Sequence, residues 1–234
     1  MILEINDISV CYGQSVAITD ISVAVPESGL VALIGPNGAG KSTILRTVSG
    51  LKKPTSGSII FKGRLISSMK PSKIALLGIA HCPEGRRPFP LMTVGENLFV
   101  GGYKLSKSER SSQIEQVFRF FPILRERKKQ LAMTLSGGEL QMLVIARSLM
   151  MKPSLYMLDE PSLGLAPLLI EEIGKIIANM KTSGLPILLA EQNLDIVRDL
   201  SDKVYVINHG LVCFSGTIEE ILSREDLART YMGM

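Results

Sequence analysis

The chain has 234 residues, 46% apolar and 21% charged, which is enough for one large domain or two small ones with a sizeable core and excludes general disorder. Its 26 basic and 22 acidic residues leave a net charge of +4, with 5% aromatics and no Trp. So thin and dispersed a charge, with so few stacking rings, argues against a nucleic-acid partner. The longest apolar stretches, such as Leu30–Ile34, fall far short of the roughly 18 residues a membrane span needs. The opening MILEINDISV has neither the basic nor the long apolar region of a signal peptide. Cys11, Cys82 and Cys213 form no CxxC and no even set, so the expectation is a soluble protein of a reducing compartment.

In chain order, residues 2–10 alternate apolar and polar and predict a strand. Residues 18–25 repeat the pattern, and Pro26-Glu27-Ser28-Gly29 supplies a turn. Leu30–Ile34 is wholly apolar, as a strand buried on both faces of a sheet requires. A helix is expected over 42–50. From about residue 91 the texture becomes helical, with Ile114, Val117, Phe118 and Phe121 on one stripe. Strands return at 155–158, 187–190 and 203–207, separated by a helix whose buried face is Leu169, Ile173, Ile176, Ile177 and Met180. Strand–helix alternation at both ends of a helical middle predicts an α/β core with a helical insertion.

Between the strand at 30–34 and the next helix stands Gly35-Pro36-Asn37-Gly38-Ala39-Gly40-Lys41-Ser42-Thr43, which matches G-x-x-x-x-G-K-[ST] in the right context. Gly38 and Gly40 free the backbone to converge N–H groups on phosphate oxygens. Lys41 places a cation against the β- and γ-phosphates, and Ser42 offers a hydroxyl to Mg²⁺. The strand at 155–158 runs into Asp159 and Glu160. At the carboxyl edge of a sheet, Asp159 can hold Mg²⁺ and Glu160 can polarise the attacking water as general base. The alternative is a solvated Asp-Glu-Pro turn. Ser136 and Glu139 form S-x-x-E, a capping box opening a helix over 140–150. Capping alone does not call for Gly137 and Gly138, which bare the backbone so that an anion can approach a helix N-terminus.

Phosphate loop, Leu135-Ser136-Gly137-Gly138-Glu139, Leu155-Tyr156-Met157-Leu158-Asp159-Glu160-Pro161 and Ser162-Leu163-Gly164-Leu165 follow in an order that resembles the ATP-binding cassette (ABC) ATPases over essentially the whole chain. The resemblance implies an α/β fold: an ABC-type P-loop NTPase core, a mixed sheet flanked by helices with antiparallel N-terminal strands, and an inserted α-helical subdomain. Within a single domain, 1–84 and 152–234 form the core and 85–151 the helical part. Two cassettes pair head to tail, with ATP and Mg²⁺ between one phosphate loop and the other cassette's Ser136, Gly137 and Gly138. By matching position Tyr12 stacks on adenine, although a Tyr packed at a strand end is the plainer reading. Residues 162–165 resemble the loop that speaks across the dimer.

Two positions depart from the family pattern. Glu84 stands where Gln is usual and is expected near nucleotide and metal, and Gln192 replaces the usual switch His. Gln192 donates a hydrogen bond but carries no charge. Glu84-Gly85-Arg86-Arg87 with Glu191-Gln192-Asn193 resembles the ATP-binding subunits of branched-chain amino-acid importers. That implies permease subunits in the membrane, an extracytoplasmic solute-binding protein, and a place at the cytoplasmic face of the inner membrane. The partner cassette is a copy or a paralogue. Soluble or envelope ABC ATPases with other cargoes share the motifs. Repair-type ABC ATPases carry long coiled-coil or zinc-bearing insertions, which the stretch between Lys41 and Ser136, 95 positions apart, lacks. Arg86, Arg87, Phe89, Pro90 and Met92 are either a solvated loop or the rim of the groove for a permease helix. With Arg229-Thr230-Tyr231-Met232-Gly233 near the last residue, the regulatory domain that some importers append is not expected.

Overall fold

Two sheets stacked face to face position everything else. In the computed structural model, which describes residues 1–223, β1 (Leu3–Tyr12) and β2 (Ser15–Val25) form an antiparallel hairpin. The segment Arg229-Thr230-Tyr231-Met232-Gly233 lies outside the described residues. The hairpin runs beyond the predicted strand ends because pairing continues to Tyr12 opposite Ser15. With β4 (Ser56–Phe61) and β5 (Arg64–Leu65) it makes a sheet of order β2-β1-β4-β5.

The second sheet has the order β10-β9-β3-β8-β7-β6. Its strands are β3 (Leu30–Ile34), β6 (Ile79–Cys82), β7 (Leu155–Asp159), β8 (Ile187–Glu191), β9 (Lys203–Asn208) and β10 (Leu211–Gly216). All pairs are parallel except β10 with β9. Every residue of β3, β7 and β8 is buried, and with both faces of the sheet covered these strands are apolar up to the strand-end acids Asp159 and Glu191. Val31, Leu33, Met157, Leu188 and Ala190 face the antiparallel sheet and α1 (Lys41–Val48). Leu30, Ala32, Ile34, Tyr156, Leu158 and Leu189 face the opposite layer. Each such Leu or Ile contributes about 1.5–3 kcal/mol by leaving water.

That opposite layer includes α3 (Val94–Gly101), α4 (Lys107–Phe120), α5 (Pro122–Glu126), α6 (Gly137–Leu149) and α7 (Pro167–Thr182); α2 (Pro71–Leu76), α8 (Leu194–Leu200) and α9 (Ile218–Leu222) are the other α-helices among the described residues. Val117, Phe118 and Phe121 are buried as their spacing requires, with Ile114 partly so. Ser106 and Glu109 box the start of α4, and Pro122 stops it. The helices share one apolar cluster with the sheet face, so Leu98, Val117 and Ile145 join the core that holds Ala32 and Leu189. Among the described residues, no helix is long and apolar enough to cross a membrane.

Parallel register gathers the carboxyl ends of five strands on one edge. Ile34 stands beside Glu191 and Val206, Asp159 beside Ala190, and Cys82 beside Leu158. Gly35, Glu84, Glu160, Gln192 and His209 therefore all leave the sheet there. This is the edge where open α/β sheets place their ligands.

Candidate functional site

A cleft of about 570 Å³ opens at that edge, lined by Asn37 to Thr43, Glu84 and Glu160, and by Val16, Ala17, Leu163, His209 and Gly210. Gly40 caps α1 at φ 113, and a β-carbon there would come within 2.6 Å of Ile18, so only glycine fits. No side chain caps this helix. Its first N–H groups and positive end are thus left to an external anion.

Lys41 is buried at the floor. Its Nζ donates to the carbonyls of Gly35 at 2.6 Å and Pro36 at 3.1 Å, and pairs with Glu160 Oε1 at 3.0 Å. Glu160 follows β7 with φ 47, a conformation that costs energy for any residue with a β-carbon. Its N–H donates to Ala190 O at 2.8 Å, which holds the strained turn in place. Ser42 Oγ donates to Asp159 Oδ1 at 2.9 Å, while Asp159 Oδ2 is buried without a hydrogen-bond partner. Burial, with Glu160 and Glu84 nearby, outweighs the Ser42 bond and pushes the Asp159 carboxyl up to about 6. A carboxylate with one orphaned oxygen, beside a hydroxyl and with its pKa raised chiefly by burial, fits a hard divalent cation. Among the described residues no three His, Cys, Asp or Glu form a metal-holding group. One carboxylate and one hydroxyl match Mg²⁺, which takes its remaining ligands from phosphates and water.

Other predicted residues lie apart from this floor. Tyr12 is at the tip of the β1–β2 hairpin, exposed, with Lys52 Nζ 4.5 Å from its ring centroid, and it does not line the cleft. Gln192 is exposed just after β8, with its N–H donating to Glu191 Oε2 at 2.9 Å. Ser136, Gly137 and Gly138 are also outside the cleft. Ser136 N–H donates to Glu139 Oε2 at 2.8 Å, closing the expected capping box. The helix begins at Gly137, so both glycines lie within its first turn. Gly137 is exposed, whereas Gly138 is buried, and a β-carbon on it would stand 2.6 Å from Leu169. Packing against Leu169 is thus a second reason for glycine at 138, beside the expected anion access. Gly138→Ala is expected to cost about 1–3 kcal/mol of stability through this overlap. Urea unfolding measures it, and an unchanged midpoint would mean that Leu169 gives way freely.

Several lining residues had no signal in the sequence. Val16 and Ala17 belong to β2, and His209-Gly210 to the turn between β9 and β10. Gly210 N–H donates to Ala39 O at 3.0 Å, and Thr19 N–H to Gly210 O at 2.9 Å, which laces that turn to the phosphate loop. Glu191, fully buried, accepts from Ser162 N–H at 2.9 Å and from the N–H groups of Gln192 and Asn193 at 2.9 and 3.0 Å. Burial dominates and raises its pKa, against the lowering effect of those bonds. Arg86 reaches the loop after β7: Nη2 donates to Leu163 O at 2.6 Å.

A glycine-rich loop between a buried parallel strand and an uncapped helix, with lysine, hydroxyl and two strand-end acids at one floor, defines a P-loop nucleoside triphosphatase. The ABC transporter family pattern matches residues 18–163. The chain is 42% identical to the high-affinity branched-chain amino acid transport ATP-binding protein BraG of Pseudomonas aeruginosa, over 99% of both chains. It is 32% identical to LivG of Escherichia coli, whose description is the same apart from the name, over 99% of this chain and 98% of that one. A solved nucleotide-free ATP-binding cassette from an ABC transporter superposes with a TM-score of 0.87 at 28% identity, covering 97% of each chain. The chain belongs to the ABC transporter family and is one of its nucleotide-binding ATPase subunits.

Proposed function

We propose that this chain drives the uptake of branched-chain amino acids, working as one of two cassettes under a membrane permease at the cytoplasmic face of the inner membrane. An extracytoplasmic solute-binding protein delivers the cargo. The observation that carries the reading is the full-length 42% identity to a branched-chain amino-acid transport subunit. The motif residues that converge on one cleft support the ATPase part.

In this reading 85–151 acts as the helical subdomain carrying the signature. Residues 35–43 wrap the ATP phosphates, Lys41 balances the β- and γ-phosphate charge, and Tyr12 stacks on adenine. Ser42 and Asp159 hold Mg²⁺, with Glu84 at the mouth. The ion supplies charge neutralisation on the phosphates. Glu160 takes the proton of the attacking water as its oxygen bonds to the γ-phosphorus and the bond to the ADP oxygen breaks. Gln192 donates a hydrogen bond to the γ-phosphate. Ser136, Gly137 and Gly138 serve the nucleotide held by the other cassette.

The permease contact is supported by a patch beside the helical segment. Phe89, Leu91, Met92, Leu131 and Met133 are exposed there, and Met133 N–H donates to Pro90 O at 3.0 Å, so the two strips run side by side. Arg147 stacks 5.0 Å from the Phe89 ring and donates to Arg87 O at 2.6 Å, leaving the Arg87 side chain exposed. Reversing an interfacial charge costs several kcal/mol of association. Arg87→Glu is therefore expected to abolish transport while Mg-ATP affinity stays at the wild-type value. The experiment is radiolabelled leucine uptake in a deletion strain complemented with wild type or Arg87→Glu. Full uptake in the deletion strain refutes the substrate, and full uptake with the variant refutes the contact.

A further inference from the structure

The loop 162–165 is gripped by two side chains from different segments. Glu191 accepts from Ser162 N–H at 2.9 Å and is itself bonded to the backbone of Gln192 and Asn193. Arg86 donates to the Leu163 carbonyl at 2.6 Å. Its other terminal nitrogen stands 3.1 Å from where a β-carbon on Gly137 would lie. The guanidinium thus fills the gap between the first turn of α6 and the loop 162–165.

This placement is unfavourable by local criteria. Arg86 has φ 40 directly after Gly85 at φ 99, in the region that disfavours side chains with a β-carbon. A cation at a helix N-terminus opposes the helix dipole. Among the described residues no carboxylate lies within ion-pair distance of it. A cleft of about 230 Å³ joins Glu84, Arg86, Gln141, Glu160 and Leu163, and it shares Glu84, Glu160 and Leu163 with the phosphate-loop cleft. Arg86 is two residues from Glu84 and touches both the first turn of α6, outside the phosphate-loop cleft, and the loop 162–165, whose Leu163 lines that cleft.

We propose that Arg86 is a positioning residue for ATP hydrolysis. It fixes the loop 162–165 against the first turn of α6, so that both meet the second cassette as one rigid surface. Glu191 provides the second grip and ties the same loop to the Gln192 segment. The proposal rests on the paired-cassette reading above.

The test is steady-state ATPase of the transporter complex purified through a tag on this chain, with Arg86→Ala and Arg86→Lys, together with calorimetric Mg-ATP affinity. For Arg86→Ala, kcat is expected to fall about tenfold, within the range for residues acting through packed networks, with KM for ATP and Mg-ATP affinity near wild type. Arg86→Lys keeps the charge and one donor for Leu163 O but cannot span to Gly137, so it recovers part of kcat. It also reports on the role if the alanine variant does not fold. Wild-type kcat in either folded variant overturns the proposal. So does an affinity loss matching the kcat loss, which would mean simple distortion of the phosphate loop. A purified complex that holds a single ATP-binding cassette would overturn the paired-cassette reading and this proposal with it.

Discussion

Lys41→Ala abolishes productive ATP binding, lowering Mg-ATP affinity by at least about ten- to a hundredfold, the worth of one or two charge-assisted contacts. Nζ is already aimed along the loop by the Gly35 and Pro36 carbonyls, so its loss removes a pre-positioned cation rather than a mobile one. The alanine variant also leaves Glu160 buried without its partner, and breaking a buried ion pair from one side costs about 3–5 kcal/mol of stability. The double variant Lys41→Ala/Glu160→Gln separates the two effects. It leaves no unpaired buried charge, unfolds near the wild-type denaturant midpoint, and still fails to bind. Isothermal titration with Mg-ATP reads both variants, and wild-type affinity in the double variant would remove Lys41 from the phosphate site.

Glu160→Gln lowers turnover by about 10²- to 10⁴-fold, the usual contribution of a general base. The substitution keeps the side-chain size and an acceptor for Lys41 but removes the group that takes the proton of water. It also weakens the 3.0 Å ion pair that competes with phosphate for Lys41, so Mg-ATP affinity rises slightly rather than falling. ATP binding without hydrolysis then accumulates the closed pair of cassettes, seen as an ATP-dependent increase in mass by light scattering. Unchanged turnover in this variant would transfer the role of base to another residue.

Legibility followed the range of the forces involved. The phosphate loop, its strand and its helix were readable because strand, turn and capping chemistry act within ten residues or so. The strand β6 (Ile79–Cys82) was missed: four residues, one of them His81, carry no period, and only pairing with β7 makes them a strand. The start of α6 was placed after the glycines, since propensity disfavours them there, whereas packing against Leu169 and the Ser136–Glu139 box carry the helix through Gly137 and Gly138.

Arg86 shows the same division at the level of the site. As a sequence, Glu84-Gly85-Arg86-Arg87 offers two equivalent cations. In the fold, φ 40 at Arg86 sends one guanidinium to Leu163 while Arg87 stays exposed. Glu191 likewise read only as part of a subgroup signature, and its burial reveals an acceptor for three backbone N–H groups.

By itself the sequence determined the chemistry: the phosphate loop, the strand-end acids Asp159 and Glu160, the capped signature helix, and an order of motifs that resembles one family. These are short-range patterns whose function lies in residue type and spacing. The tertiary structure alone decided which of them meet. Parallel register of β3, β8, β7 and β6 brings residues 37–43, 84 and 160 to one cleft, and the turn at His209-Gly210 closes a wall that no motif announces. It also put Tyr12, Gln192 and the signature glycines outside that cleft. Side-chain direction and strand order come from burying two faces of one sheet at once, a condition set by residues far apart in the chain and therefore invisible to any local window.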